Sequence, residues 1–145
     1  MFYFAYGSNL CNEQMEKRCP NASFFTKGLL DNYDWIITTR GYANIVPLDN
    51  SSIFGKVFNV SESDIVSLDK FEGVDSGSYD RVTVTVQAIL NNMVTSINCF
   101  TYIDPIVEVG QPKLEYIDRI KNGLNDSDFR ESYNKKILRQ MGIKW

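Results

Sequence analysis

Three short stretches hold residues whose type and spacing could do chemistry. Tyr6-Gly7-Ser8-Asn9-Leu10 ends an aromatic-rich run in a loop of small residues. Successive backbone N–H groups in such a loop can form a nest for a carboxylate or phosphate, although a tight turn with an asparagine cap would explain the same letters. In Leu68-Asp69-Lys70-Phe71-Glu72-Gly73-Val74 the two acids lie three apart, a spacing that lets both share one side of a helix. Two solvent-facing acids would explain that pattern too, but a carboxylate near a helix C-terminus opposes the dipole. An acid between Phe71 and Val74 could instead sit in a partly apolar pocket, its pKa raised as a general base requires. Ser76-Gly77-Ser78-Tyr79-Asp80-Arg81 is either a plain loop whose arginine meets a surface acid, or a place where the Tyr79 hydroxyl orients a substrate or Glu72.

Composition narrows what these stretches can do. The 145 residues include no histidine, which removes imidazole bases, His-activated nucleophiles and the commonest metal ligand. Acid–base chemistry near neutral pH must then use a carboxylate, tyrosine, lysine or cysteine with a shifted pKa. Ser8 is a poor nucleophile for the same reason. Eighteen acidic against fifteen basic residues give a net charge of −3. Lys135, Lys136 and Arg139 read as the solvated side of a terminal helix, so no basic footprint for nucleic acid is present. Cys11, Cys19 and Cys99 are widely spaced without a CxxC, a pattern of reduced thiols that points to the cytoplasm. The apolar start Met1–Tyr6 is too short for a signal peptide or a membrane span.

The elements that must position these residues read as strands first and helices last. Phe2–Tyr6 reads as a strand and Glu13–Arg18 as a short helix ended by Cys19-Pro20. Phe24–Leu30 and Tyr33–Thr39 read as strands joined by an Asp31-Asn32 turn. Ile53–Val60 is a further strand, with Gly55 a bulge or a point of close backbone approach. Ser61 caps a helix whose inner face takes Ile65, Leu68 and either Phe71 or Glu72. Val82, Val84, Val86 and Ala88 alternate with polar residues up to Asn91-Asn92. Val94–Ile103 then returns with Ile97, Cys99 and Thr101 on one face. Leu114, Ile117, Ile120 and Leu124 mark one amphipathic helix; Phe129, Tyr133, Ile137, Leu138 and Met141 mark another. One α+β domain over 1–145 is expected.

Taken in order, these stretches resemble the gamma-glutamylcyclotransferase family. The resemblance runs through Tyr3-Phe4-Ala5-Tyr6-Gly7-Ser8-Asn9-Leu10, Gly41–Pro47 and Gly55-Lys56-Val57. It is strongest at Leu68–Tyr79 and continues through Cys99-Phe100-Thr101-Tyr102 and the helical tail Pro112–Met141. It implies a small mixed, mostly antiparallel β-barrel flanked by helices. It further implies a small-molecule γ-glutamyl substrate that is cyclised to 5-oxoproline with release of an amino acid or amine. Neither metal nor cofactor is required, and neither nucleic acid nor membrane is a partner; a monomer or a homodimer is expected. Glu72 takes the place of the family's catalytic glutamate, and Tyr6, Gly7, Ser8, Asn9 and Leu10 that of its substrate-binding nest. Tyr79 matches the family tyrosine that lies beside the acid, and Tyr102 the one that lines the cavity. The leaving group is expected to meet Phe24–Ser52. The competing readings are a non-catalytic binding module, a specialised cyclotransferase for γ-glutamylamines or an acylated biosynthetic intermediate, and a hydrolase using Cys11 or Cys99, which lacks an activating histidine.

Overall fold

The computed structural model describes residues 1–143. Their elements in chain order are β1 (Phe2–Ala5), a 3-10 turn (Ser8–Leu10), α1 (Asn12–Arg18), β2 (Ser23–Ile37) and β3 (Ala43–Asn59). They continue with α2 (Glu62–Glu72), β4 (Asp80–Leu90), β5 (Met93–Ile103), α3 (Leu114–Ser127) and α4 (Glu131–Gln140). The five strands close into a barrel in the order β1-β3-β2-β4-β5. The expected α+β barrel flanked by helices is therefore present. Its ladders are antiparallel except at the seam, where β1 meets β5 in parallel at Tyr3↔Phe100. Two hydroxyls reinforce that seam: Thr101 Oγ1 donates to the Phe4 carbonyl at 2.7 Å, and Tyr6 Oη donates to the Tyr102 carbonyl.

The β4–β5 hairpin follows its alternation. Val84, Val86 and Ala88 turn inward, as do Ile97, Cys99 and Thr101, with Val84 opposite Cys99 and Val86 opposite Ile97. Asn91 and Asn92 both take positive φ, as a two-residue hairpin turn of matching twist demands. The β2–β3 pair departs from expectation. Asp31-Asn32 makes no turn; β2 runs straight through it, with a register shift between Asp31 and Tyr33 and Asn32 at φ 65°. β3 carries the surplus: between Asp31↔Ser52 and Tyr33↔Pro47 residues 48–51 face Asn32 alone, and Asn32 and Asn50 both take the left-handed region that asparagine tolerates, so β2 keeps its direction through the irregularity. The reversal comes later, where the Thr38 N–H bonds the Tyr42 carbonyl across Gly41. β3 accordingly begins at Ala43 rather than Ile53; its Pro47–Asn50 stretch is exposed and interrupted by a proline, which hides the strand pattern.

The helices close over the barrel. Ser61 and Asp64 form a reciprocal capping box at the start of α2, and Gly73 in the left-handed region ends it. Ile65 and Leu68 face inward while Phe71 is more than half exposed, so Glu72, not Phe71, completes the inner side. In α3 the buried stripe is Tyr116, Ile120 and Leu124, whereas Leu114 is exposed. In α4 it is Tyr133, Ile137 and Leu138. No helix among the described residues is long and apolar enough to cross a membrane.

Gly55 marks a close backbone approach. A Cβ there would lie 2.5 Å from the Ala5 carbonyl oxygen and from the Phe4 ring. Gly55→Ala should therefore lower unfolding stability by about 1–3 kcal/mol, read as a reduced denaturation midpoint. An unchanged midpoint would mean that β1 and β3 do not approach this closely.

Candidate active site

Antiparallel pairing brings several chain ends to one mouth of the barrel: β1 stops at Ala5, β2 turns into β3 at Thr38–Tyr42, β4 starts at Asp80 and β5 ends at Ile103. The mouth holds a cavity of about 290 Å³. Tyr6, Gly7, Ser8, Asn9, Glu72, Tyr79 and Tyr102 all reach it. Seven of the eight residues singled out from the sequence are thus brought together.

Leu10 is the exception. Its side chain is 1% exposed in the core, and its N–H closes the 3-10 turn on the Gly7 carbonyl. It anchors the loop instead of lining the cavity, because Lys56 Nζ donates to its carbonyl at 2.9 Å and to Asn12 Oδ1 at 3.1 Å. Burial lowers the pKa of this lysine. An anchoring cation inside a strand leaves no sequence signal beyond a charge among apolar neighbours.

Side chains of the loop are held from two helices. Gln14 of α1 donates to Ser8 Oγ and Asn9 Oδ1, both at 2.8 Å. Arg18 of α1 also donates to Asn9 Oδ1, and Arg119 of α3 reaches Ser8 Oγ at 3.4 Å. Asn9 Nδ2 donates to the Tyr3 hydroxyl at 2.9 Å. α3 can lie this close because a Cβ at Gly123 would be only 2.8 Å from that of Leu10. With these side chains fixed, the backbone N–H groups of Gly7, Ser8 and Asn9 have no protein acceptor among the described residues. They are the unpaired donors expected at the start of a helical turn.

The acids of Asp69–Glu72 meet different fates. Asp69 accepts from the Tyr102 hydroxyl at 2.6 Å and from Arg81 at 3.1 Å. It is a structural clamp between α2, β4 and β5. Glu72 has no hydrogen bond or ion pair among the described residues and opens onto the cavity. Burial raises its carboxyl pKa above the ordinary range, while Arg18 and Arg119 pull it partly back. Its place at the C-terminus of α2 acts in the same direction as burial.

Tyr79 does not bond Glu72. Its hydroxyl donates to the Ala43 carbonyl at 2.8 Å, while the Ala43 N–H bonds the Tyr116 hydroxyl at 3.3 Å. The two rings clamp the backbone of Ala43 on both sides at the start of β3 and shape the wall beside Glu72. Burial drives the Tyr3, Tyr6, Tyr79 and Tyr102 hydroxyls well above their ordinary pKa, and that of Tyr116 up to about 12, so these rings are neutral at physiological pH. Of the segment expected to meet the leaving group, Phe24–Ser52, only Arg40 and Tyr42 line the cavity; Arg18, Phe71 and Arg119 come from elsewhere. None of these arginines stood out in the sequence, since no spacing marks a charge that folding turns inward. The three cysteines are free and buried away from the cavity. Burial lifts the Cys99 thiol to about 11 and the Cys19 thiol to about 12, opposite to the low pKa of a nucleophilic cysteine.

The family model described as "Gamma-glutamyl cyclotransferase, AIG2-like" matches residues 3–131. The chain belongs to this family. Gamma-glutamylcyclotransferases from Bos taurus and Homo sapiens are 30% and 29% identical to it, each over 93% of this chain and 76% of theirs. A solved gamma-glutamyl cyclotransferase superposes with a TM-score of 0.86 at 27% identity, covering 99% of this chain and 88% of that one. A human protein solved by crystallography gives 0.85 at 28% identity, covering 99% and 87%. The cyclotransferase fold thus accounts for the barrel and its helices as one arrangement.

The raised Glu72 pKa has a cost in stability with a definite sign. The folded protein holds that proton more tightly than the unfolded chain. Stability therefore falls as pH rises from the ordinary glutamate range towards the raised value, and the deficit persists above it. Glu72→Gln should accordingly raise Tm at neutral pH, with the gain disappearing below pH ~4. A thermal melt series that gives the variant a lower Tm at neutral pH would contradict the desolvated carboxylate.

Proposed function

We propose that this protein is a gamma-glutamylcyclotransferase in which Glu72 is the general acid and base and the loop Tyr6–Asn9 holds the γ-glutamyl end of the substrate. The observation that carries the roles is the pairing, in one cavity, of a desolvated carboxylate with three backbone N–H groups, all without a hydrogen-bond partner among the described residues. The N–H groups of Gly7, Ser8 and Asn9 suit the substrate's α-carboxylate. Glu72 takes a proton from the α-ammonium group, and the freed amine attacks the γ-carbonyl of the same molecule. A five-membered ring closes through a tetrahedral intermediate. Glu72 then returns the proton to the γ-nitrogen, the C–N bond to the leaving group breaks, the second proton of the ring nitrogen passes to the departing amine, and 5-oxoproline and an amino acid or amine depart.

The chemistry suits a chain without histidine. Nucleophile and electrophile belong to one substrate, so holding it folded back exploits an effective molarity worth about 7–11 kcal/mol in well-oriented cases. A single carboxyl with a raised pKa can shuttle the proton, contributing about 10²–10⁴-fold. Tyr3 supports the transition state as a donor: its hydroxyl accepts from Asn9 Nδ2, which leaves its own proton for an oxyanion in the cavity. Tyr79 acts through position, by fixing the Ala43 peptide. The free, buried thiols support a cytoplasmic setting, where residues 1–145 act as one domain, as a monomer or homodimer.

Incubation with a panel of γ-glutamyl amino acids and γ-glutamyl-lysine should release 5-oxoproline; no release from any of them would favour a binding module. Glu72→Gln should fold yet lose turnover by about 10²–10⁴-fold or more, and near-normal release would defeat the assignment. The acid limb of kcat/KM should lie above the ordinary glutamate range. Tyr79→Phe should lower kcat/KM several-fold, about what one hydrogen bond contributes; an unchanged value would remove Tyr79 from the site.

A further inference from the structure

Three guanidinium groups border the cavity, and they are neutralised to different degrees. Arg40 is paired with the buried Asp104 and also donates to the Ser78 carbonyl. Arg119 is latched to Gln14 Oε1 at 2.9 Å and leans on Glu115 at 3.5 Å. Arg18 has no carboxylate within ion-pair distance among the described residues. Its Nη1 donates to the neutral Asn9 side chain at 3.1 Å, and its plane lies over the Phe71 ring at 4.4 Å. A guanidinium has five N–H donors in a fork matched to a carboxylate, so most of Arg18 is left for a ligand.

Phe71 locates this cation. The ring is 57% exposed, so the stacked pair forms the rim of the cavity, one residue from Glu72. The three loop N–H groups already provide for the α-carboxylate of the γ-glutamyl end. An anion at the rim belongs to the part of the substrate that leaves. We infer that Arg18, shelved on Phe71, is a specificity-determining residue that binds the carboxylate of the departing amino acid and so favours γ-glutamyl amino acids over γ-glutamylamines. This rests on the cyclotransferase reading. Removing Arg18 leaves the loop latched, because Asn9 Oδ1 keeps Gln14 and Ser8 Oγ keeps Gln14 and Arg119.

The test compares kcat/KM for 5-oxoproline release from γ-glutamyl-alanine and from γ-glutamyl-ethylamide, which is the same molecule without the departing carboxylate. The full chain should prefer the alanine donor by about 10-fold or more. Arg18→Met should lose about 10–100-fold more on γ-glutamyl-alanine than on the ethylamide, whatever loss both donors share through Glu72 and Asn9, with Arg18→Lys restoring part of the preference. Phe71→Ala, at an exposed position that the fold tolerates, should narrow the preference as well. An equal loss on both donors would place Arg18 at the γ-glutamyl end and overturn the inference, as would an unmodified chain with no preference; both outcomes leave the cyclotransferase reading standing. No 5-oxoproline from either donor or from any other γ-glutamyl compound would sink that reading, and the inference with it.

Discussion

Everything at the barrel mouth depends on how the chain is held as it leaves β1. That strand is paired on both sides, to β3 and β5, so its exit at Ala5 has little freedom. The next five residues are gripped by groups distant in sequence: Lys56 on the Leu10 carbonyl, Gln14 and Arg18 on Asn9, and Arg119 on Ser8. Side chains and the Leu10 carbonyl take up all of this bonding. The backbone N–H groups of Gly7, Ser8 and Asn9 are left over as a rigid, unpaired set. A loop without such anchors would lose, on ordering around a ligand, much of the binding energy that those donors supply.

The same logic separates two acids that look alike in the sequence. Asp69 and Glu72 are three residues apart on α2, yet Asp69 is satisfied by Tyr102 and Arg81 while Glu72 faces an enclosed space. A carboxylate with strong donors is structural. One that is desolvated and opposed by a helix end holds its proton more readily and can pass it on. Arg18 and Arg119 keep the effect within bounds by drawing the pKa partly back. The cavity therefore tolerates a destabilising charge at the residue proposed as the proton shuttle, and the capping box and buried stripe of α2 offset it.

Much of the fold could be read from the residues. The β4–β5 alternation, the asparagine turn, the Ser61 cap and the tail helices all follow from local pattern, because each is governed by neighbours within a few residues. Reading failed where long-range pairing overruled a local signal. Asn32 carries a turn residue's backbone geometry, but the ladder to β3 continues on both sides of it, and the surplus residues fall on β3. β3 starts at Ala43 despite its exposed, proline-interrupted middle. Leu114 fits the helical stripe by spacing, yet Tyr116 takes the inward place.

The candidate site divides the same way. Sequence by itself determined the reaction's constraints: no histidine, a single carboxylate beside apolar residues, and a loop of small residues able to present N–H groups. The family resemblance placed Glu72, Tyr79 and Tyr102 in one cavity, and the structure does bring them there. Only the tertiary structure decided that Arg18, Arg40, Arg119 and Tyr116 surround them, that Leu10 anchors instead of binds, and that the Tyr79 hydroxyl holds Ala43 rather than Glu72. Charges and hydroxyls acquire such roles from what lies across the cavity, a few ångströms away in space and as many as 111 residues away in sequence between Ser8 and Arg119. No local pattern encodes that proximity.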